Sequence, residues 1–390
     1  MEIIIIGNGM YATGRGTEEF GTVLPAVFKF CEKTVNSKIS IVGTNSDHSK
    51  AAKEKVNELS KTLDQDVNVD FFPKNQLSNK NAYLDVIKKT KSIACAIIVV
   101  PDHLHYKITK DCLEAGLHCL VVKPLTLLTK DAIDLATIAR KKQLYGAVEF
   151  HKRWDKSNLI LRDVVGNHDI GDPLYSWVEY SQRKSIPTEV FKEWVSDSNV
   201  LNYLGVHYID IMRFISGAKP LKVMAIGQKN WLSSKGYDSY DAVQCIIQWE
   251  SKNKSKFTQT LLLNWIDPET SSAMSNQQIR IVGTNGRIEA NQKDRGIEIN
   301  LDESGILHPN PYFCRSFGSG SDKKTWEGYG IDSIVSFLQD VKDLGDCSLT
   351  LKDLESSRPT FSEGLLSTAV LEAANISLNG DNLWVEVEYE

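Results

Sequence analysis

Four short apolar runs, at 3–6, 39–42, 96–100 and 119–122, punctuate the first 150 residues. Each is continuous rather than alternating, the pattern of a strand buried on both faces. Between them, residues 23–31, 49–62, 104–115 and 130–142 carry apolar positions at helical spacing, and Gly116 supplies a helix stop. Alternating strand and helix predict a doubly wound, parallel α/β sheet. After residue 150 the period shortens to two. Strands are expected at 174–182, 222–227, 242–250, 256–264, 278–282, 286–291 and 296–300, with Thr284-Asn285-Gly286 as a hairpin signal. Serial strands of this kind predict an α+β domain around a large, mostly antiparallel, open-faced sheet. Helices are expected at 154–165, 201–216, 331–344 and 361–378. The stretch 303–325, rich in Gly, Ser, Pro and Lys, reads as a loop or lid. The boundary falls near 150, giving domains of 1–150 and 151–390.

Gly7-x-Gly9-x-x-Ala12 lies where the first strand meets the first helix. Glycines there permit a tight turn and let a pyrophosphate approach the backbone beside a helix N-terminus, with Met10 and Tyr11 filling the variable positions. The segment 13–21 delays the following apolar helix; its Arg15 either reaches a phosphate or sits in a solvated loop. At the end of the second strand the acidic residue that would bind a ribose 2′-hydroxyl is missing. Thr44, Asn45 and Ser46 stand there instead, followed by Asp47, with Lys50 within reach of a 2′-phosphate. The balance favours NADP over NAD, with Asp47 able to serve NAD if the turn is tight. Pro101-Asp-His-Leu-His105 follows the third apolar run and reads as a loop bordering the cofactor; no third ligand at a metal-binding spacing accompanies its two histidines. Lys123-Pro124 follows the strand at 119–122, at the edge where α/β sheets bind ligands. An ammonium there can hold an alcohol oxygen and stabilise alkoxide charge. Further on, Tyr203, His207 and Asp210 occupy helical spacings of four and three and share a face. Together these motifs point to hydride transfer to or from an alcohol, with Lys123, His207 and Tyr203 as the acid/base set.

Composition narrows the alternatives. With 42% hydrophobic and 24% charged residues, net charge −5 and pI about 6.0, the chain offers no broad basic face for nucleic acid. No apolar run approaches the roughly 20 residues that span a bilayer. Met1-Glu2 leads straight into a strand without a basic leader, and seven scattered cysteines fit a reducing compartment, so a cytoplasmic location is expected.

These segments together resemble the Gfo/Idh/MocA oxidoreductases, the glucose–fructose oxidoreductase and inositol dehydrogenase group. The likeness rests on the Gly7/Gly9 turn, Pro101-Asp-His-Leu-His105, Val122-Lys123-Pro124, Val148-Glu-Phe-His-Lys-Arg-Trp-Asp155, Ile170-Gly-Asp-Pro173 and Gly205-Val-His207-Tyr-Ile-Asp210. It implies a Rossmann domain that binds NADP or NAD, with Lys123 and His207 as the catalytic pair. Two positions depart from the family pattern: Val122 stands where it usually has Glu, and Tyr203 where it often has Asp. The implied substrate is a sugar, inositol or related polyol, free, phosphorylated or nucleotide-linked, with Arg153, Trp154 and Asp210 in its pocket. Arg153 is equally placed for an interdomain ion pair. An open sheet face implies a second copy of the chain as partner, in a homodimer or homotetramer; Trp231, Trp249 and Trp265 either line that face or fill the core. Two rival functions are a nucleotide-binding sensor without turnover and a redox-neutral enzyme that retains its cofactor.

Overall fold

The structure is a computed structural model that describes residues 1–34, 37–75, 78–90, 93–192, 194–318 and 324–389. Contacts divide it into two units, Met1–Thr126 with Lys130–Trp154 and Tyr312–Leu365, and Leu127–Thr129 with Asp155–Pro311 and Leu366–Glu390.

The isoleucine run forms β1 (Glu2–Ile6), buried along almost its whole length. It pairs in parallel with β2 (Lys38–Val42) on one side and β4 (Ala94–Ile98) on the other. With β3 (Asn68–Phe72), β5 (His118–Val122) and β6 (Gly146–Glu149), the six-stranded parallel sheet has the order β3-β2-β1-β4-β5-β6. Strand order reverses between β1 and β4, which places a ligand crevice at the C-terminal ends of those strands. The two outermost strands carry no apolar run: β3 is half-exposed and alternating, and β6 is the short Gly-Ala-Val-Glu.

The first unit is not the continuous stretch 1–150. The helix Tyr329–Gly345 returns to it, burying Ile331, Ile334, Phe337, Leu338 and Val341 in one core with Val23, Leu24, Val27 and Phe28 of the helix Val23–Lys33. The apolar stripe at 331–344 specifies a helix, but its period carries no information about which core it joins.

In the second unit β7 (Pro173–Arg183), β8 (Lys219–Gln228), β9 (Ala242–Glu250), β10 (Lys256–Asp267), β11 (Ser275–Gly283) and β12 (Arg287–Asn291) form one sheet, with the short strand Val385–Glu386 at its edge. The order is β12-β11-β7-β10-β9-β8. Every neighbouring pair is antiparallel except β7 with β10, which run parallel. Alternation puts Val178, Val243, Ile247, Leu261, Leu263 and Ile279 on the buried face. Trp249 and Trp265 belong to that face too, each donating its indole N–H to a buried glutamine, Gln259 at 3.2 Å and Gln182 at 3.3 Å. They therefore fill the core, while Trp231 is half-buried at the start of the short helix Trp231–Ser234.

The expected strand at 296–300 is displaced. Ile299–Leu301 pairs with Gly305–Leu307 in a separate hairpin and does not join the large sheet. The stretch 303–325 is likewise not a plain loop, because Arg315–Gly318 pairs with Lys324–Glu327; residues 319–323 lie outside the described set. Among the described residues, no helix is long and apolar enough to cross a membrane.

One histidine ties the edge of the first sheet to pH. The backbone N–H of Tyr145, just ahead of β6, donates to His118 Nδ1 at 2.8 Å, and burial lowers the His118 pKa to about 4. An imidazole that accepts there must stay neutral, whereas the unfolded chain protonates near 6.5. The unfolded state then binds more protons between these values, so stability rises with pH through that window and is lost on acidification from about 6.5 to 4. Urea unfolding across this range is expected to show that slope, and the His118→Asn variant to lack its share of it.

Candidate active site

The turn after β1 is built by two glycines with different tasks. Gly7 has φ of +110°, and a Cβ there would lie 1.9 Å from the Val99 carbonyl oxygen. Gly7 N–H donates to Val42 at 2.8 Å and Val99 N–H to Ile6 at 2.8 Å, so the turn is wedged between β2 and β4. Gly9 has an ordinary φ of −79°, and a Cβ on it would meet nothing within 4 Å. Its open side is the approach that a pyrophosphate needs. Between them Asn8 is buried, packed so closely on Gly43 that a Cβ at 43 would sit 2.2 Å from its Nδ2, which has no hydrogen-bond partner. The helix after the turn is a single turn, Met10–Thr13; the chain then folds back through Gly14, Gly16 and Gly21, all at positive φ.

Past β2, Asn45 is the N-cap of the helix Ser46–Leu63, accepting from His48 N–H at 2.8 Å. Lys50 pairs with Asp47 at 3.4 Å, both well exposed, a contact of about 1 kcal/mol at most. Arg15 is half-buried rather than solvated. Among the described residues it has no paired carboxylate, and desolvation lowers its pKa. Burial lowers the His48 pKa, the Arg15 charge lowers it further, and Asp47 opposes both. The Arg15 charge therefore reaches His48 at the end of β2.

At the sheet's other half, Lys123 follows β5 and joins Pro124 through a cis peptide. Burial lowers its pKa to about 8, against the opposing charges of Asp102 and Glu149. His105 shows why this turn is held. Its ring is fully buried, with Nδ1 2.7 Å from the Pro124 carbonyl oxygen and Nε2 2.9 Å from that of Val100. His105 thus ties the loops after β4 and β5 together, instead of lying open beside a cofactor as its position suggested. His103 is exposed, so the two histidines do not converge. Pro101 is exposed and opens the turn Asp102–Leu104.

In the second unit the helix containing the Tyr/His pair is broken in two. A π turn, Leu201–Gly205, precedes the α-helix Val206–Ser216. Gly205 sits at the junction, where a Cβ would meet Leu201 Cδ1 at 2.7 Å and Leu263 Cδ1 at 2.9 Å. Tyr203 packs among Phe191, Trp194 and Trp265, with ring centroids 4.5, 5.8 and 5.9 Å away. His207 is 4% exposed and lies 6.3 Å from the Tyr180 ring, while Asp210 is buried below it on the same helix. Arg153 and Trp154 belong to the first unit. Arg153 is buried and pairs with Glu363 at 3.4 Å within that unit; Trp154 lines a small cavity with Tyr145, Phe337 and Asp340. Arg153 therefore takes part in an ion pair internal to one unit. Sequence reading also passed over Asn8, Gly43 and Glu149, all buried beside the motifs.

The glycine turn, the partner-poor Arg15 and the desolvated Lys123 fit a dinucleotide along the C-terminal ends of β1, β2 and β5. Their separation of tasks is testable. Gly7→Ala is expected to lower the melting temperature, because its Cβ strikes backbone. Gly9→Ala is expected to fold normally and to weaken NAD(P)H binding in a fluorescence titration.

Comparison with known proteins agrees with this arrangement. Residues 2–150 match the model of the Gfo/Idh/MocA oxidoreductase family, NAD-binding Rossmann fold, and residues 159–289 match the C-terminal domain model of the same family. UDP-N-acetylglucosamine 3-dehydrogenase of Acidithiobacillus ferrooxidans is 32% identical over 130 residues, 33% of this chain and 38% of that protein. The scyllo-inositol 2-dehydrogenase (NADP(+)) IolW of Bacillus subtilis is 27% identical over 128 residues, 33% of this chain and 36% of that protein. The aligned stretch thus spans little more than a third of either curated relative. Among solved structures, scyllo-inositol dehydrogenase from Lactobacillus casei with bound NAD(H) and scyllo-inositol superposes with a TM-score of 0.69 at 17% identity, over 99% of this chain and 98% of that one. The chain belongs to the Gfo/Idh/MocA family of oxidoreductases.

Proposed function

We propose that this chain is an NAD(P)-dependent dehydrogenase acting on a CH–OH group of a sugar, inositol or related polyol, free, phosphorylated or nucleotide-linked. The observation that carries the reading is the Lys123 ammonium, half-buried at the C-terminal edge of a parallel sheet whose glycine turn is open to a pyrophosphate. The names of the relatives, a UDP-N-acetylglucosamine 3-dehydrogenase and a scyllo-inositol 2-dehydrogenase, support the substrate class. A nicotinamide dinucleotide, held by the Gly7/Gly9 turn, would supply the hydride acceptor or donor.

In the oxidative direction the alcohol R₂CH–OH would give up its C–H hydride and its hydroxyl proton to leave the ketone; a nicotinamide held at the glycine turn would accept the hydride, and a protein base the proton. Lys123 donates a hydrogen bond to the reacting oxygen and offsets the negative charge that grows there. His207 takes the hydroxyl proton, with Tyr203 as the relay in the position where the family often carries Asp. A panel of sugars and polyols with free NAD⁺ and NADP⁺, followed at the nicotinamide absorbance, is expected to show turnover. In Lys123→Ala and in His207→Ala, kcat/KM is expected to fall about 100-fold or more. Binding of NADPH without turnover of any polyol defeats this reading in favour of a sensor.

The cofactor preference we assign is NADP. The Arg15 charge acts on His48 at the end of β2, where an acidic residue would repel a 2′-phosphate; the acid that acts there, Asp47, lies in the helix and is paired with Lys50. Loss of one charge-assisted phosphate contact, worth about 1.5–3 kcal/mol, corresponds to tenfold or more in affinity. Calorimetry of Arg15→Ala is therefore expected to show NADPH binding weakened about tenfold and NADH binding unchanged; equal loss for both cofactors refutes the assignment.

A further inference from the structure

Glu149, the last residue of β6, is only 3% exposed. In the parallel ladder it stands opposite Val122, the residue immediately before Lys123. Both carboxylate oxygens are held: Oε2 lies 3.0 Å from His151 Nδ1, and Oε1 accepts from the Ser333 hydroxyl at 2.7 Å. The Tyr11 hydroxyl, from the glycine turn, is buried alongside, and its pKa is raised by burial first and by Glu149 next. His151 is itself walled in by aromatic rings, with Tyr329 stacked at 5.7 Å and Phe313 at 5.1 Å.

This is an unusual place for a carboxylate. An ionised carboxyl at such burial is costly unless donors and an opposite charge surround it. Ser333 and His151 supply the donors. The opposite charge is Lys123, which is acted on from two sides: by Asp102 in the turn after β4 and by Glu149 at the end of β6, with β5 between. Of the two acids, Asp102 has a buried Oδ2 without a hydrogen bond, whereas Glu149 is anchored at both oxygens. The charge of Glu149 is therefore fixed in position, and fixed charges are the ones that tune a neighbour without reorganising.

We propose that Glu149 is a positioning residue for Lys123, which it holds in the ammonium form at the sheet edge through a carboxylate oriented by His151 and Ser333. It supplies from the neighbouring strand the negative charge that Val122 does not carry. The inference rests on the reading of Lys123 as the group that holds the substrate oxygen, but its direct test does not. Neutralising Glu149 removes an attraction for the proton on Lys123, so the pKa of Lys123 moves down from about 8. A nearby opposite charge is worth about one to three units. If the ammonium is the active form, the alkaline limb of kcat/KM moves to lower pH by the same amount.

The experiment is a pH titration of the full chain labelled with ¹³Cε-lysine, the Lys123 signal being assigned by its loss in Lys123→Arg. In Glu149→Gln, which keeps the shape of the side chain, the Lys123 pKa is expected to fall by about one unit or more. Should that variant fail to fold, Glu149→Asp draws the charge back by one methylene and is expected to give a smaller fall. A Lys123 pKa that stays in place in the folded variant overturns the proposal, whatever the activity does. A pKa that falls in a protein without polyol turnover upholds the Glu149–Lys123 coupling and overturns the dehydrogenase reading instead.

Discussion

An ammonium group taken out of water at the edge of a sheet is the constraint around which the first unit is arranged. Burial alone drives Lys123 toward its neutral form, and nothing in an apolar strand such as β5 opposes that. The fold answers with carboxylates on the two flanking strand ends, and with His105 fixing the backbone on which the amine is carried. Each device depends on the order β4-β5-β6, in which β4 and β5 are continuous apolar runs of the kind a doubly covered parallel sheet buries and β6 closes the edge. The chemistry of one side chain is thus traceable to the hydrophobic patterning of β4 and β5.

The second unit answers a different demand. Its sheet buries one face, so its strands alternate, and the large side chains Trp249 and Trp265 occupy that face with their indole N–H groups satisfied by glutamines. Tyr203 borrows the same aromatic packing, which fixes its ring against Phe191 and Trp265. The π turn that carries it exists where Gly205 lets the backbone come close to Leu263 of the sheet.

Much of this was legible in the sequence, and the parts that were not share a physical cause. The strands 3–6, 39–42 and 119–122 stood out because burial on both faces leaves their runs apolar, Ser40 being the one polar residue among them. β3 and β6 were hidden because edge strands tolerate polar residues, and β6 ends in the very glutamate that faces Lys123's neighbour. The glycine turn was readable from spacing, as was the place of Lys123 at the end of β5. The contacts around Lys123 were not, since His105 to Pro124 and Ser333 to Glu149 join distant segments that no local period encodes. The short strands that begin or end within 303–325 escaped because each is only three or four residues long and, apart from the buried Trp326, mostly exposed.

The return of Tyr312–Leu365 to the first unit has a consequence for how this chain can be cut and recombined. A fragment ending at Trp154 would strip the helix Tyr329–Gly345 from Val27, Phe28 and their neighbours, leaving a greasy groove open to water. The nucleotide-binding half is therefore no portable cassette. Shuffling it between relatives would demand two crossover points, one on either side of the inserted large sheet, so that both arms of the module travel together.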